Sequence, residues 1–151
     1  MRDWHQAGVW QALDELLLAE LRKAGQLDFS RAAVDASQLR AMKGGTKSGP
    51  SPVDRGRTGS KHHVIVEAHG IPLAATLTGG NRHDVTQLIP LVHAVPAARG
   101  RRGRPRRRPD VLYADRGYDY DTYRRDLRDL GIRPVIACRG NEHGSGLGVH
   151  R

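Results

Sequence analysis

Two aspartates in this chain sit where a carboxylate should be expensive. Asp35 follows Ala32-Ala33-Val34 and Asp115 follows Val111-Leu112-Tyr113-Ala114, each in an apolar, strand-like run. An ionised group facing a hydrophobic layer stays charged only where a partner or a metal ion satisfies it. A single aspartate there can instead end a strand or open a turn. Two of them, 80 positions apart in a strongly basic chain, favour neighbouring strands of one sheet that bring both carboxylates to one metal site. Hard oxygen ligands select Mg²⁺ or Mn²⁺ over zinc. Such ions activate a water or a DNA 3′-hydroxyl and stabilise the leaving oxygen of an in-line phosphoryl displacement.

The charge balance points to a polyanionic partner. Of a formal +9 over 151 residues, seven charges come from Arg99, Arg101, Arg102, Arg104, Arg106, Arg107 and Arg108; without those seven the +9 falls to +2. That block is a polyanion-binding feature or a solvated loop. Arginine suits phosphate because the guanidinium fork meets its oxygens bidentately. Eight histidines raise the question of zinc, but no Cys or His pair stands at ligand spacing on one element. The single Cys138 excludes a disulfide within the chain and reads as a buried strand residue. With no membrane-length apolar stretch and no signal-peptide pattern, the expected location is the cytoplasm.

Elements to position the two acids are legible in the pattern. Val9, Leu13, Leu16, Leu17 and Leu21 give an amphipathic helix stopped near Gly25. Ala32–Leu39 reads as a first strand. Residues 43–60, rich in Gly, Ser, Pro and basic groups, read as a mobile loop outside the core. His63–Glu67 and Leu73–Thr78 form a hairpin-like pair. Asp84 is placed to cap a helix with the face Val85, Leu88, Val92 and Val95. Val111–Asp115 is the next strand, and Asp121 is placed to cap a helix with the face Tyr123, Leu127 and Leu130. Arg133–Cys138 is the last strand. The fold class is therefore α/β: an antiparallel three-strand meander, then parallel strands entered through crossover helices. Residues 1–29 read as a helical segment and 30–151 as the α/β domain, with basic loops at 43–61 and 99–109.

Four blocks, in order, resemble one family: Val34-Asp35-Ala36-Ser37; Asp54-Arg55-Gly56-Arg57-Thr58-Gly59-Ser60-Lys61-His62-His63; Gly79-Gly80-Asn81-Arg82-His83-Asp84; and Ala114-Asp115-Arg116-Gly117-Tyr118-Asp119. Over roughly residues 30 to 140 the chain resembles insertion-sequence transposases of the IS5 group, within the IS4-like set, whose DDE catalytic domain is ribonuclease-H-like. The resemblance puts the first two catalytic and metal-binding acids on Asp35 and Asp115, with Mg²⁺ (or Mn²⁺) as cofactor. It implies DNA as partner, both the inverted-repeat ends of the element and target DNA, and leaves a homodimer open. No membrane or small-molecule substrate is implied. Lys43, Lys47, Arg55, Arg57, Lys61 and the seven arginines would hold phosphates. Asn81, His83, Asp84 and Tyr118 are auxiliary candidates: Asn81 and His83 touch DNA or the metal site, or simply form a capping turn. Tyr118 and Tyr120 would stack on bases, or pack near a strand end. His62-His63 would face the loop mouth. The N-terminal helix would be a remnant of a DNA-end-binding region.

One departure matters. The family's third acid is a glutamate on a helix after the last strand, in a Trp-Val-x-Glu-Arg-like motif that is absent here. Glu142 is the one acid after Asp129, and its Gly-rich surroundings read as a loop. The expectation is a C-terminally truncated transposase with weakly held ions and impaired strand cleavage and transfer. Its rival is a non-catalytic basic nucleic-acid-binding protein of transposase descent; a general metal-dependent nuclease is a third reading.

Overall fold

The computed structural model describes residues 2–140. Six strands form one sheet: β1 (Ala32–Arg40), β2 (Gly49–Pro50), β3 (Thr58–Glu67), β4 (Pro72–Gly79), β5 (Val111–Ala114) and β6 (Arg133–Ile136). Its order is β2-β3-β1-β5-β6, with β4 also paired to β3. The β1–β3 and β3–β4 pairs are antiparallel, whereas β1–β5 and β5–β6 are parallel. This is the expected meander followed by crossovers. Helices α1 (Arg2–Gln6) and α2 (Val9–Lys23) precede the sheet, α3 (Leu88–Ala94) enters β5 and α4 (Asp121–Asp129) joins β5 to β6. No described helix is long and apolar enough to cross a membrane.

Alternation along the strands sets the layers. Ala32 and Val34 on β1, Ile65 on β3 and Leu112 on β5 are buried with Leu88, Leu91 and Val92 of α3 and Leu127 of α4. The other side of the sheet carries Ala33, Asp35, Ala75 and Tyr113, all exposed. Pro90 fits within the first turn of α3, where its missing N–H has no helical partner to lose, and Pro96 follows just after that helix ends.

Several local expectations are corrected. The stripe Val9, Leu13, Leu16 and Leu17 of α2 points outward, joined by Trp4 and Trp10; Leu18 is the residue that enters the core. Helical spacing reports that an apolar face exists, not which way a helix with two apolar sides will dock. The 43–60 segment is not a free loop. Ser51 is buried and accepts at its carbonyl from Gly56, β2 pairs with β3, and Arg40 donates to both Asp54 oxygens at 2.6 and 3.0 Å. Asp84 opens a 3-10 turn (Asp84–Gln87) preceded by His83, and Asp121 is the first residue of α4 after Tyr120; neither helix start has a side-chain cap. Asp121 still sits in the first turn, where its charge favours the helix dipole. The last strand stops at Ile136, leaving Cys138 half-buried beyond it.

A buried carboxylate fastens the meander. Glu67, at the end of β3, accepts from Asp28 N (2.7 Å), His69 N (2.7 Å) and Ile71 N (3.0 Å), with His69 Nδ1 at 3.2 Å. Burial alone would raise its pKa; the three backbone donors outweigh that and hold it below the ordinary carboxylate value. The β3–β4 turn and the approach to β1 are thereby tied to one side chain.

Candidate active site

The register of β1 and β5 decides where the two aspartates lie. Ala32 pairs with Leu112 and Ala33 with Tyr113, in parallel. The same offset, carried two residues further, brings Asp115 level with Asp35. Asp115 keeps an extended backbone (φ −74°, ψ 177°), so strand alternation continues through it and both carboxylates lie on the exposed side of the sheet. Adjacent strands run about 5 Å apart, a spacing that one hard cation can bridge through two carboxylates.

Each carboxylate has one oxygen engaged locally. Asp35 Oδ1 accepts from Ala36 N at 2.7 Å, and Asp115 Oδ1 from Gly117 N at 2.8 Å. A Cβ on Gly117 would stand 2.9 Å from Asp115 Oδ1, so a side chain there would push the Asp115 carboxylate out of its present position. The donor set fits Mg²⁺ or Mn²⁺, which bind through one or two carboxylates and complete their shell with water and substrate phosphate. Among the described residues no group of three or more His, Cys, Asp or Glu side chains could hold a metal ion. Glu142 lies outside the described residues.

Residues that sequence reasoning missed hold the Asp115 turn in place. Arg139 donates from Nε to Arg116 O (3.0 Å) and from Nη2 to Gly117 O (3.2 Å), while its guanidinium lies 4.2 Å from the Tyr120 ring centroid. Asp119 accepts from Arg139 N at 2.7 Å and from Arg124 at 2.6 and 3.0 Å. The Arg139 backbone bond, first, and the Arg124 side chain, next, hold the Asp119 carboxyl below its ordinary pKa. Nothing in the spacing of these residues announces the network, because Arg139 reaches the Arg116 and Gly117 carbonyls and the Asp119 carboxylate across a crossover.

The auxiliary candidates divide. Tyr118 is buried, so base stacking is closed to it; its hydroxyl has no hydrogen-bond partner among the described residues. Burial, then the charges of Asp84, Asp115 and Asp35, raise its pKa. Lys61 Nζ donates to Arg82 O at 2.9 Å and lies 2.9 Å from Asp84 Oδ1, with its side chain only 14% exposed. It is engaged in the fold rather than presented to phosphate. His63 does not face the loop mouth: it is buried, with Nε2 2.8 Å from Thr78 Oγ1. Desolvation lowers its pKa, against the raising effect of nearby Asp84. Asn81 and His83 are exposed.

The basic residues separate into two districts. Lys43, Lys47, Arg55 and Arg57 are exposed in the segment that leaves β1 beyond Asp35, at the carboxylate end of the sheet. The arginine block lies between α3 and the start of β5, at the opposite end from Asp115.

A family model described as "Transposase DDE domain" matches residues 27–144. The candidate transposase for insertion sequence element IS402 of Burkholderia cepacia is 62% identical over 108 residues, covering 72% of this chain and 51% of that protein. An uncharacterized 16.2 kDa protein of insertion element IS402, also from Burkholderia cepacia, is 62% identical over 52 residues, covering 34% of this chain and 35% of that protein. The chain thus spans about half the length of the first of these relatives and a third of the second. Likeness to solved structures is distant. A simian T-cell lymphotropic virus intasome in complex with PP2A regulatory subunit B56 gamma gives 17% identity and TM-score 0.47, covering 76% of this chain and 36% of that one. The Mos1 transposase paired-end complex with the left transposon end gives 16% identity and TM-score 0.45, covering 80% and 39%.

Proposed function

Because the chain belongs to the transposase DDE domain family, we propose that it serves DNA transposition, with Asp35 and Asp115 binding the divalent metal used for strand cleavage and strand transfer. The observation that supports this reading is the parallel β1–β5 register at Ala32–Leu112 and Ala33–Tyr113, whose offset, continued two residues, levels Asp35 with Asp115. Mg²⁺ (or Mn²⁺), when bound, polarises the scissile phosphate and activates the attacking hydroxyl. The protein's own part is to hold the two acids at one level. Gly117, Arg139 and Asp119 fix the turn that aims Asp115. Lys43, Lys47, Arg55 and Arg57 grip phosphates beside the site. The DNA partners are the inverted-repeat ends of the element and target DNA, bound in the cytoplasm by a chain that can pair with a second copy.

A second reading, a non-catalytic DNA-binding protein, is favoured by one fact: among the described residues no group of three or more His, Cys, Asp or Glu side chains could hold a metal ion. A nicking assay on plasmid carrying element ends, in Mg²⁺ or Mn²⁺, separates the two. Catalysis predicts cleavage that Asp35→Asn and Asp115→Asn each abolish without changing DNA affinity. Absence of cleavage, with binding that weakens steeply in salt, selects the second reading.

A further inference from the structure

The arginine block is a built platform rather than a solvated tail. Arg22 of α2 donates to the carbonyls of Ala98 and Arg104, Ala98 N donates to Arg106 O at 2.8 Å, and Ala98 and Arg106 form a β-bridge. Arg106 pairs with Asp110 and lies 5.7 Å from the Phe29 ring centroid; Arg108 donates to Leu130 O at 2.9 Å. Five of the seven arginines therefore divide by task. Arg106 and Arg108 brace the loop, and Arg99, Arg104 and Arg107 line, with Arg108, Ala97 and Pro105, a groove of about 660 Å³.

The lining fixes the ligand's chemistry. Among the described residues the groove's lining holds no acid and no aromatic ring, so it offers positive charge and guanidinium forks rather than an aromatic stacking platform. The Phe29 ring, 5.7 Å from the Arg106 guanidinium, is buried. That combination recognises a phosphate backbone without reading sequence. Bracing fixes the backbone from which these side chains project, which lowers the cost of ordering the loop on binding.

We propose that this groove is a second anchor for duplex DNA, distinct from the basic residues beside the carboxylates and placed at the other end of the sheet. The proposal rests on the DNA-binding part of the reading above, not on catalysis. Val111 and Asp115 are four strand steps apart, about 13 Å at 3.3 Å per residue. The groove is formed by residues that precede β5, so it stands at the end of that strand away from Asp115. The scissile phosphate and the holding phosphates are then different ones, and affinity is separable from chemistry.

The test measures binding of the full 151-residue chain to a 30-base-pair duplex (about 100 Å at 3.4 Å per step) across a salt series. The variant Arg99→Gln/Arg104→Gln/Arg107→Gln leaves the bracing Arg22, Arg106 and Arg108 intact. Three lost phosphate contacts reduce the slope of log affinity against log salt by about 2.7. Between 50 and 200 mM salt the wild type should then lose roughly 40-fold more affinity than the variant, with unchanged thermal midpoints. A wild-type slope in the folded variant overturns the proposal. The companion variant Lys43→Gln/Lys47→Gln/Arg57→Gln separates the failures. If it lowers the slope and the groove variant does not, the groove alone is wrong; if neither does, the DNA-binding reading falls as well. A defect seen with a matched RNA duplex and not with DNA also refutes the proposal.

Discussion

Replacing Glu67 by alanine should cost about 3 kcal/mol, an expectation that follows from counting donors. The side chain is fully buried and accepts three backbone N–H bonds at 2.7, 2.7 and 3.0 Å. A buried donor left unpaired costs about 1–3 kcal/mol. Asp28 and Ile71 are only half-buried and His69 is exposed, so water can reach the orphaned groups and the low end applies to each. For a chain of this size that corresponds to a fall in melting temperature of about 6–12 °C. Glu67→Gln keeps one acceptor oxygen but turns an amide N–H₂ toward a backbone donor, so its loss should be smaller, about 1–2 kcal/mol. The pH dependence has a definite sign. With the folded pKa depressed, the stabilisation is present above the unfolded carboxyl value and is lost as pH falls through the folded one. Thermal melts from pH 7 downward should show the wild type losing stability in acid more steeply than Glu67→Gln. An alanine variant that melts within about 2 °C of wild type, or parallel acid limbs for wild type and the glutamine variant, would refute the clamp.

Two further expectations concern packing and a buried histidine. Leu18→Ala should destabilise by about 2–5 kcal/mol and Leu17→Ala by less than about 0.5 kcal/mol, because Leu18 is 2% exposed and its neighbour 53%; urea midpoints check the order, and its reversal would mean that α2 docks by its other face. His63 has its pKa depressed below 6.5 by burial, so its contribution is complete above that value and is lost as pH falls below it. Melts between pH 7.5 and 5 should then decline less in His63→Gln than in wild type, and identical declines would remove His63 as the cause.

The antiparallel meander and the later parallel strands entered through helices were legible because each rests on a local signal. Asp35 and Asp115 interrupt apolar runs, and hydrophobic period distinguishes strand from helix. The α2 orientation was not legible: Leu16, Leu17 and Leu18 are consecutive leucines, and only tertiary contact selects Leu18. The bracing at Arg139 and Glu67 escaped because a charged side chain bonded to distant backbone leaves no spacing pattern. Lys61 and His63 were misassigned for a related reason. Alternation puts both on the helix-covered side of β3, but a basic Gly-rich context suggested an open loop. The arginine block was visible as charge, whereas its placement at the far end of the sheet required the topology.

The most direct measurement is Mn²⁺ binding by the full chain, read as the loss of the free-ion signal in electron paramagnetic resonance, which needs no catalytic activity. If the β1–β5 register brings both acids to one ion, Asp35→Asn and Asp115→Asn should each weaken binding, and the double variant should be little worse than either single one. Retention of wild-type affinity by either single variant would show that the two carboxylates do not share a metal.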